Sequence, residues 1–413
     1  MSILKDLDEL VNKQIIGDKT ATNIREFYQH KPSNNHSRLL LIGGILGGTL
    51  ISAGIILLFA HNWDLFPKTL KLGLSLTPLL LSQILLFYAV IKNKSRPYIE
   101  GISSFLFISI GAAIGLISQV YHISGDESSF YMLWAFLGLP LVYLVRSQSA
   151  SIVYTCLITC LCYNTESLIS LLCLVPVIPN FLHLIKANKD GNFTTFHRWI
   201  LPISILSLIF QLGEESRTSI TFIYFATFSL FYTIGSVEKI SPNTRAKNGF
   251  RIIGLLGMLI ILFSLSYQDV WRWVDGFEEG YKGLVISAVL VIGYLTLIGL
   301  GLSNQIKLKG PISLLMILPL FTINYLIGLD NGFASIITNI LLFLISIDAI
   351  YKGLKSNSLL KINFGLISIL ILATLRFFDG DYSIIIRAAL FILAGIGFIT
   401  TNYFAIKKTK NEN

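Results

Sequence analysis

The sequence predicts an all-α polytopic membrane protein with about 14 transmembrane helices and both termini in the cytoplasm. Only 13% of its 413 residues are charged, whereas a soluble domain carries about a quarter charged residues. The mean hydropathy is +0.70, and runs of the roughly 20 apolar residues that a spanning helix needs follow one another along the chain. Because these runs lack the alternation of barrel strands, the predicted spans are helices.

The predicted spans begin after Arg38. In order, they are Leu39–Ala60, Leu70–Ile91, Gly101–Val120, Phe130–Val145, Ala150–Cys162, Leu168–Ile185, Trp199–Leu212, Ile220–Gly235, Phe250–Tyr267, Gly283–Leu302, Ile312–Gly328, Phe333–Tyr351, Ile362–Phe378 and Ile384–Ala405. Phe130–Val145, Ala150–Cys162 and Trp199–Leu212 are short. They therefore extend beyond their apolar cores, form half-helices inside the bundle, or cross where the bilayer is thin.

Basic residues set the predicted orientation, because Lys and Arg concentrate in cytoplasmic loops. With the N-terminus inside, the inside loops are the basic ones, including Lys92–Arg96, Lys186–Arg198 and Lys239–Arg251. The outside loops are short, acidic and aromatic. The net charge of +9 therefore indicates topology rather than binding to nucleic acid. The partner that the composition implies is the lipid bilayer.

Three domains are predicted. Residues 1–38 form a cytoplasmic amphipathic segment without a signal-peptide core, read as two short helices with Gly17 at the turn. This segment either caps the bundle or the headgroups, or docks a membrane or cytoplasmic protein partner. Residues 39–150 form an N-terminal membrane module of about four helices, and residues 151–413 a C-terminal module of about ten.

Few residues suggest chemistry. We find no nucleotide loop, zinc motif or nucleophile elbow, so the sequence predicts no catalytic residue, metal or cofactor. The four cysteines fall in apolar runs and are expected to be small buried hydrophobes. Glycines such as Gly293 and Gly299 are expected to let helices approach closely. The longest outside loop, Gln268–Lys282, is expected to contain an interfacial helix with Trp271 and Trp273 at the headgroups.

Ionisable side chains are scarce at mid-depth, which argues against an ion-coupled pump with a midplane carboxylate. Near the inner end of its helix, Asp348 is expected to pair with Lys352. A local ion-pair cluster is predicted across one outer turn, formed by Arg376, Asp379, Asp381 and Arg387. The neutral mid-depth residues, expected to hydrogen-bond between helices, are Gln83, Asn180, Asn324 and Asn339.

The stretch Ile117–Ser147 is the densest run of polar, titratable and aromatic residues. Gln119, Tyr121 and His122 end one helix, and His122 there has its cationic form favoured by the helix dipole. Gly125 can take the left-handed cap conformation.

The start of the next helix can be capped by Asp126, Ser128 or Ser129. Asp126 is also close enough in sequence to pair with His122. This region is therefore either a tight, capped turn or an outer polar pocket for a small ligand or a lipid headgroup. A hydrolase would need Ser124 as nucleophile and an oxyanion site as well.

An ordered set of motifs over roughly residues 1–150 resembles a bacterial membrane-protein family, the domain of unknown function two-one-five-seven. Its pieces are Asn62-Trp63-Asp64, Lys68 and Lys71, Gln119-x-Tyr121-His122-x-Ser124-Gly125-Asp126, Leu133-Trp134-Ala135, Leu139-Pro140-Leu141 and Tyr143-Leu144-x-Arg146-Ser147. The resemblance implies a bacterial inner-membrane location and little chemistry, because the family carries no settled activity. It marks Trp63, Asp64, Gln119, Tyr121, His122, Gly125, Asp126, Trp134 and Arg146 as matching positions.

Two functions follow as expectations. The first is a permease or flippase-like transporter of a small or amphiphilic solute, with an outer ligand-binding vestibule around Trp63, Asp64 and Tyr121–Asp126, to which Gln119 and Trp134 are assigned. The second is a membrane scaffold or assembly partner. The scarcity of charged residues at mid-membrane depth favours this function. A lipid-acting enzyme is the third. Gly125 and Arg146 are expected to be structural in each case.

Overall fold

The computed structural model describes residues 7, 10, 11, 13–30, 63–164, 172–212, 217–274, 281–309, 315, 317–328, 333–356, 358–377 and scattered positions from 384 to 400. Over these residues the regular structure is helical, with one isolated antiparallel bridge between Val237 and Leu308. The predicted span Leu39–Ala60, most of Ile384–Ala405 and both termini lie outside the described residues.

The chain divides into two compact units, Met1–Leu74 and Ser75–Asn413. In the first unit, helix α1 (Asp18–His30) follows a turn in which Gln14 has a φ of 54°. Gly17 sits just before the helix, and its carbonyl accepts from the amides of Thr20 and Ala21 at 2.9 and 3.1 Å. The turn therefore lies where the sequence predicts it. Its residue with a left-handed backbone conformation is Gln14. A 3-10 helix at Trp63–Leu65 precedes α2.

The remaining helices follow in chain order. They are α2 (Lys68–Ile91), α3 (Arg96–Tyr121), α4 (Glu127–Tyr143), α5 (Gln148–Asn164), α6 (Val177–Ala187), α7 (Asn192–Leu212), α8 (Arg217–Ser236), α9 (Gly249–Ser264), α10 (Gln268–Val274), α11 (Tyr281–Leu302), α12 (Ile317–Gly328), α13 (Phe333–Lys355) and α14 (Leu359–Phe377).

Five helical segments of the described chain are long and apolar enough to span a membrane. They are Lys68–Ile91, Arg96–Tyr121, Asn192–Phe210, Val285–Leu302 and Phe333–Lys355, with further shorter apolar helices. The helical membrane class is therefore confirmed, whereas the count of 14 spans stays a prediction. The short predicted span Trp199–Leu212 belongs to a 21-residue helix that starts at Asn192, so its polar first turns were missed.

Two buried apolar clusters hold the second unit together. The first gathers α3 to α7 around Phe107, Tyr154 and Ile158, and the second gathers α8 to α13 around Phe225 and Phe321. The Phe225 and Phe321 rings stack with centroids 3.8 Å apart. Because the first cluster contains residues on both sides of position 150, the predicted module boundary there coincides with no gap in the packing.

Glycines bring α8 and α9 into backbone contact. A Cβ atom at Gly254 would lie 2.5 Å from the amide nitrogen of Tyr232, and one at Gly257 would lie 2.3 Å from the ring of Phe228. On α11 the close approach predicted at Gly293, Gly299 and Gly301 is found at Gly301, where a Cβ atom would lie 2.5 Å from Leu308, and the prediction is wrong at Gly299. Gly293 has its nearest neighbour at 3.8 Å and Gly299 has none within 4 Å. Gly293 therefore lies in ordinary contact range of Leu230 on α8, whereas Gly299 faces outward.

The predicted interfacial helix in Gln268–Lys282 is present as α10 over its first half. Its Trp271 is buried, with 7% of its surface exposed, and its Nε1–H donates to the carbonyl of Leu265 at 2.7 Å. Trp271 therefore anchors α10 to the second buried cluster instead of lying at the headgroups, because a bonded indole can be buried without penalty. The side chain of Trp273 lies outside the described residues.

Candidate functional site

The turn between α3 and α4 places the predicted outer residues Gln119, Tyr121, His122 and Asp126 at the surface. His122 has φ 52° and ψ 42°, and the amide of Ile123 donates to the carbonyl of Ser118 at 2.9 Å. This is the left-handed ending that Schellman-type caps use. The prediction that Gly125 supplies the left-handed residue is wrong, because the chain reverses three residues earlier, at His122.

Asp126 occupies the N-cap position of α4, as predicted, with φ −88° and ψ 161°. Its Oδ1 accepts from the hydroxyl of Ser129 at 2.5 Å, whereas the pairing with His122 does not occur among the described residues. The Ser129 hydroxyl lowers the pKa of the Asp126 carboxyl below its ordinary value. A lowered folded-state pKa stabilises the fold above the ordinary pKa, and this contribution is lost as the pH falls through the folded value.

A substitution at His122 separates a structural role from a ligand role. Non-glycine residues are strained in the left-handed region and glycine is not. We therefore expect His122→Gly to raise the unfolding free energy by about 0.5–1 kcal/mol, measured by thermal unfolding in detergent. The matched Ile123→Gly variant, which lies outside the left-handed position, should not stabilise. A loss of stability in His122→Gly would contradict this account of the turn.

Trp134 points into the bundle from α4. Its Nε1–H donates to the carbonyl of Phe107 at 2.8 Å, and its ring lies against Phe107 and Phe130. A Cβ atom at Gly111 would meet this ring at 2.4 Å. Trp134 also lies about 12 Å along α4 from Asp126, at 1.5 Å per residue. The described contacts therefore join Trp134 to α3, and no contact joins it to the exposed turn.

Trp63 and Asp64 lie in the first unit. The Trp63 ring is half-buried, with Lys71 Nζ 5.8 Å from its centroid. Asp64 belongs to the 3-10 helix, and its side chain lies outside the described residues. The Arg376 backbone ends α14, while Asp379, Asp381 and Arg387 are outside the described part of the chain, and so is the ion-pair cluster predicted there.

A carboxylate clamp, formed by Arg96, Glu100, Ser147 and Ser149, joins α3 to the start of α5. Glu100 is 7% exposed, and it accepts from the hydroxyls of Ser147 and Ser149 at 2.8 and 2.7 Å. It also accepts from the amides of Gln148 and Ser149 at 3.2 and 2.9 Å. These amides are free at a helix N-terminus, where a negative charge is favoured.

Arg96 completes the clamp. Its Nη2 lies 2.9 Å from Glu100 Oε1, and its guanidinium donates to the carbonyls of Val145 and Arg146 just after α4. Arg146 itself has φ 54°, so this predicted structural residue contributes backbone conformation and a carbonyl. The clamp therefore fixes the ends of three helices, and its donors and acceptors are used within the protein.

A second buried polar network joins α5, α6 and α7. His197 Nδ1 donates to the Phe193 carbonyl at 2.8 Å, so in the neutral ring Nε2 accepts from the Ser151 hydroxyl, also at 2.8 Å. Asn180 Nδ2 donates to the Ser151 oxygen at 2.6 Å. The spacing resembles a nucleophile and its base. However, Ser151 and His197 are 1% and 0% exposed, so no substrate reaches them. The Ser151 oxygen also accepts a hydrogen bond from the Asn180 side chain. The network therefore serves helix packing.

The mid-depth asparagines form the predicted interhelical hydrogen bonds. Asn324 on α12 donates to Thr338 Oγ1 at 2.9 Å, and Asn339 on α13 donates to the carbonyl of Ser266 at 3.1 Å. The predicted pair of Lys352 and Asp348 is formed at 2.7 Å. The predictions for the asparagines and for the ion pair are confirmed, whereas Gln83, also predicted to bond between helices, is exposed on α2.

An amphiphilic cavity of about 490 Å³ lies at the end of α11. Its apolar wall is formed by Ile298, Leu302, Leu308 and Leu315, and its polar lining by Glu238, Asn304, Lys307 and Lys309. Asn304, with φ 60°, terminates α11.

The cavity is framed by a short bridge between distant segments. The amide of Glu238 donates to the carbonyl of Lys307 at 2.8 Å, and the amide of Lys309 donates to Ser236 at 2.6 Å. Lys309 Nζ lies 3.1 Å from Glu238 Oε1. The Lys309 ammonium lowers the pKa of the Glu238 carboxyl. The Glu238 carboxyl is therefore ionised at neutral pH.

Arg198 adds a buried positive charge close to this framework. It is 0% exposed, and its Nε and Nη2 donate to the Ile240 carbonyl at 3.1 and 2.8 Å. Its Nη1 has no hydrogen-bond partner among the described residues. The sequence prediction placed Arg198 in a loop because the apolar run starts at Trp199, and so missed it.

Helices that are long and apolar enough to cross a bilayer define this chain as a membrane protein with several apolar helices. Over residues 8–151 the chain matches the model of a family described as Predicted membrane protein (DUF2157), which confirms the resemblance found in the sequence. The match contains the exposed turn and the carboxylate clamp, and the amphiphilic cavity lies beyond it. No curated protein matches the chain, and no solved structure does.

Proposed function

We propose that the protein is a permease or flippase-like transporter of a small or amphiphilic solute in the bacterial inner membrane. The amphiphilic cavity carries this proposal. Its volume of about 490 Å³ falls within the roughly 300–1,000 Å³ of small-molecule sites. One wall is aliphatic and the other carries Lys307, Lys309 and Glu238, which suits a solute with an apolar tail and a charged head.

The basic loops orient the proposed site. Lys239–Arg251 and Lys307–Lys309 are cytoplasmic by the positive-inside rule, so the cavity opens toward the inner leaflet. The polar side chains around Tyr121–Asp126 lie at the other end of α3 from Glu100 and provide the proposed outer vestibule. The carboxylate clamp stabilises the bundle at the Glu100 end of α3, and the asparagine bonds stabilise α12 and α13.

A lipid-movement assay tests the proposal. Purified protein is reconstituted into liposomes that contain a fluorescent phospholipid analogue, and dithionite quenching from outside measures how fast the analogue crosses the bilayer. We expect the protein to accelerate crossing. Leu302→Trp, which fills the cavity from its edge, should slow it. Leu344→Trp is the matched control, because Leu344 is an exposed leucine on α13 that does not line the cavity.

Two results would reject the transporter. One is crossing no faster than in protein-free liposomes, and the other is equal rates in the Leu302→Trp and Leu344→Trp variants. Such results would favour a membrane scaffold. The buried bonds of Asn324 and Asn339 support this alternative, because they join α13 to α12 and to the turn after α9. A pull-down with residues 1–38 deleted would then test whether that segment docks a protein partner.

A further inference from the structure

The three segments that meet around the amphiphilic cavity are strongly basic. Segments 186–198, 237–251 and 303–309 contain nine lysines and arginines against two carboxylates, Asp190 and Glu238. The segments are joined directly, because Lys189 Nζ donates to the Glu238 carbonyl at 2.7 Å and the Glu238 amide donates to Lys307. This end of the bundle therefore has a surplus of positive charge that attracts an anion.

The carboxylates present do not neutralise this surplus. The two carboxylate oxygens of Asp190 accept hydrogen bonds from Asn243. The backbone amide of Asn243 donates at 2.8 Å and its side-chain amide at 2.6 Å. Glu238 pairs with Lys309 at 3.1 Å. Arg198 donates to the Ile240 carbonyl and is attracted by the Asp190 carboxylate, and its Nη1 has no hydrogen-bond partner among the described residues. Two carboxylates cannot balance nine basic residues, so these segments keep a net positive charge that favours an anion nearby.

An aliphatic stripe on α11 leads into the cavity. Val285, Val289, Ile292 and Leu295 are between 53% and 64% exposed, and their spacing puts them on one helix face. The stripe continues past Gly299, which has no neighbour within 4 Å, to Leu302, which is 71% exposed and lines the cavity. A hydrocarbon chain lying on this stripe would have its head at the lysines.

We propose that the amphiphilic cavity binds the phosphate headgroup of an anionic phospholipid from the inner leaflet, with an acyl chain along the α11 stripe. The inference rests on the proposed function in using the same cavity, and it specifies the solute class. Lys307 and Lys309 contact the headgroup, and Glu238 competes with the phosphate for Lys309. Basic pockets between helices on the cytoplasmic side are suited to such headgroups.

Equilibrium binding tests the proposal on the full-length protein in detergent. The probes are phosphatidylglycerol, phosphatidylcholine of the same chain length, and inorganic phosphate, each measured by ligand-induced thermal stabilisation. We expect tighter binding of phosphatidylglycerol. The double variant Lys307→Gln with Lys309→Gln should weaken it at least about tenfold. Lys355→Gln with Lys361→Gln removes the same charge away from the cavity and should leave binding unchanged.

Three outcomes would overturn the proposal. They are equal affinity for the two lipids, an unchanged affinity in the Lys307→Gln, Lys309→Gln variant, and inorganic phosphate binding as tightly as the lipid, which would indicate a free-anion site. Binding and movement are separate readouts. Selective binding without accelerated crossing would support the headgroup site and reject the transporter. Accelerated crossing without selective binding would support the transporter and reject the headgroup site.

Discussion

Replacing Glu100 with alanine is expected to destabilise the protein by about 2–4 kcal/mol. The substitution removes the acceptor of Ser147 and Ser149 and of two helix N-terminal amides. It also leaves Arg96 without its carboxylate. Buried donors that lose their partner retain the full desolvation penalty. Thermal and denaturant unfolding of the purified protein in detergent would measure the loss.

Two further variants sharpen this test. Glu100→Gln keeps the shape but turns an amide donor toward other donors, so an intermediate loss is expected. Glu127→Ala is the matched control, because Glu127 is exposed in the first turn of α4, and its loss should cost under about 1 kcal/mol. Equal stabilities of Glu100→Ala and Glu127→Ala would show that the carboxylate clamp does not stabilise the fold.

Replacing Trp134 with alanine is expected to cost about 3 kcal/mol, within the range for large-to-small changes in packed cores. The indole fills the space beside Gly111 and Phe107 and binds a carbonyl of α3. Trp134→Phe keeps most of the ring and should lose about 1 kcal/mol with the hydrogen bond. Protein yield in the membrane and the unfolding temperature give the readouts.

A reciprocal variant tests the same contact from the other helix. Gly111→Ala pushes on the ring of Trp134 and should resemble Trp134→Ala. Phe136→Ala is the control on α4, since Phe136 is 73% exposed and its removal opens no cavity. The prediction fails if Trp134→Ala leaves yield and unfolding temperature intact while abolishing lipid movement, because Trp134 would then be a ligand residue.

Much of the fold could be predicted from local sequence. Apolar runs located the helices, and polar residues inside them found partners within reach, as at Asn324, Asn339 and Asp348. Both kinds of prediction depend on neighbouring residues and on the cost of unsatisfied polar groups in lipid. The motif order over the first 150 residues was enough to indicate the family that matches residues 8–151.

The carboxylate clamp was missed because it joins distant residues. The predicted span began at Gly101, which left Glu100 in a loop, and Glu100 meets its partner Ser147 across 47 positions. One signal was available, since Arg96 and Glu100 are four residues apart and such pairs meet on a helix. His197 and Arg198 were missed because the polar first turns of α7 carry no apolar pattern.

The cavity could not be predicted either. Its frame depends on pairing between Val237 and Leu308, which no local pattern encodes. Lys307 and Lys309 were interpreted as residues that mark a cytoplasmic loop. That interpretation predicts the side of the membrane on which they lie, but not the ion pair between Lys309 and Glu238. The position of the turn between α3 and α4 was predicted correctly. Which of its residues takes the left-handed conformation depends on how the helix ends.

Single-cysteine accessibility tests most directly the central claim that the cavity opens at one face of the membrane. In a background with Cys156, Cys160, Cys162 and Cys173 replaced, an Asn304→Cys probe would be exposed to a membrane-impermeant thiol reagent in inside-out and right-side-out vesicles. We predict labelling in inside-out vesicles only, slowed when Leu302→Trp is added. An unreactive probe, or one labelled only from outside, would contradict the account.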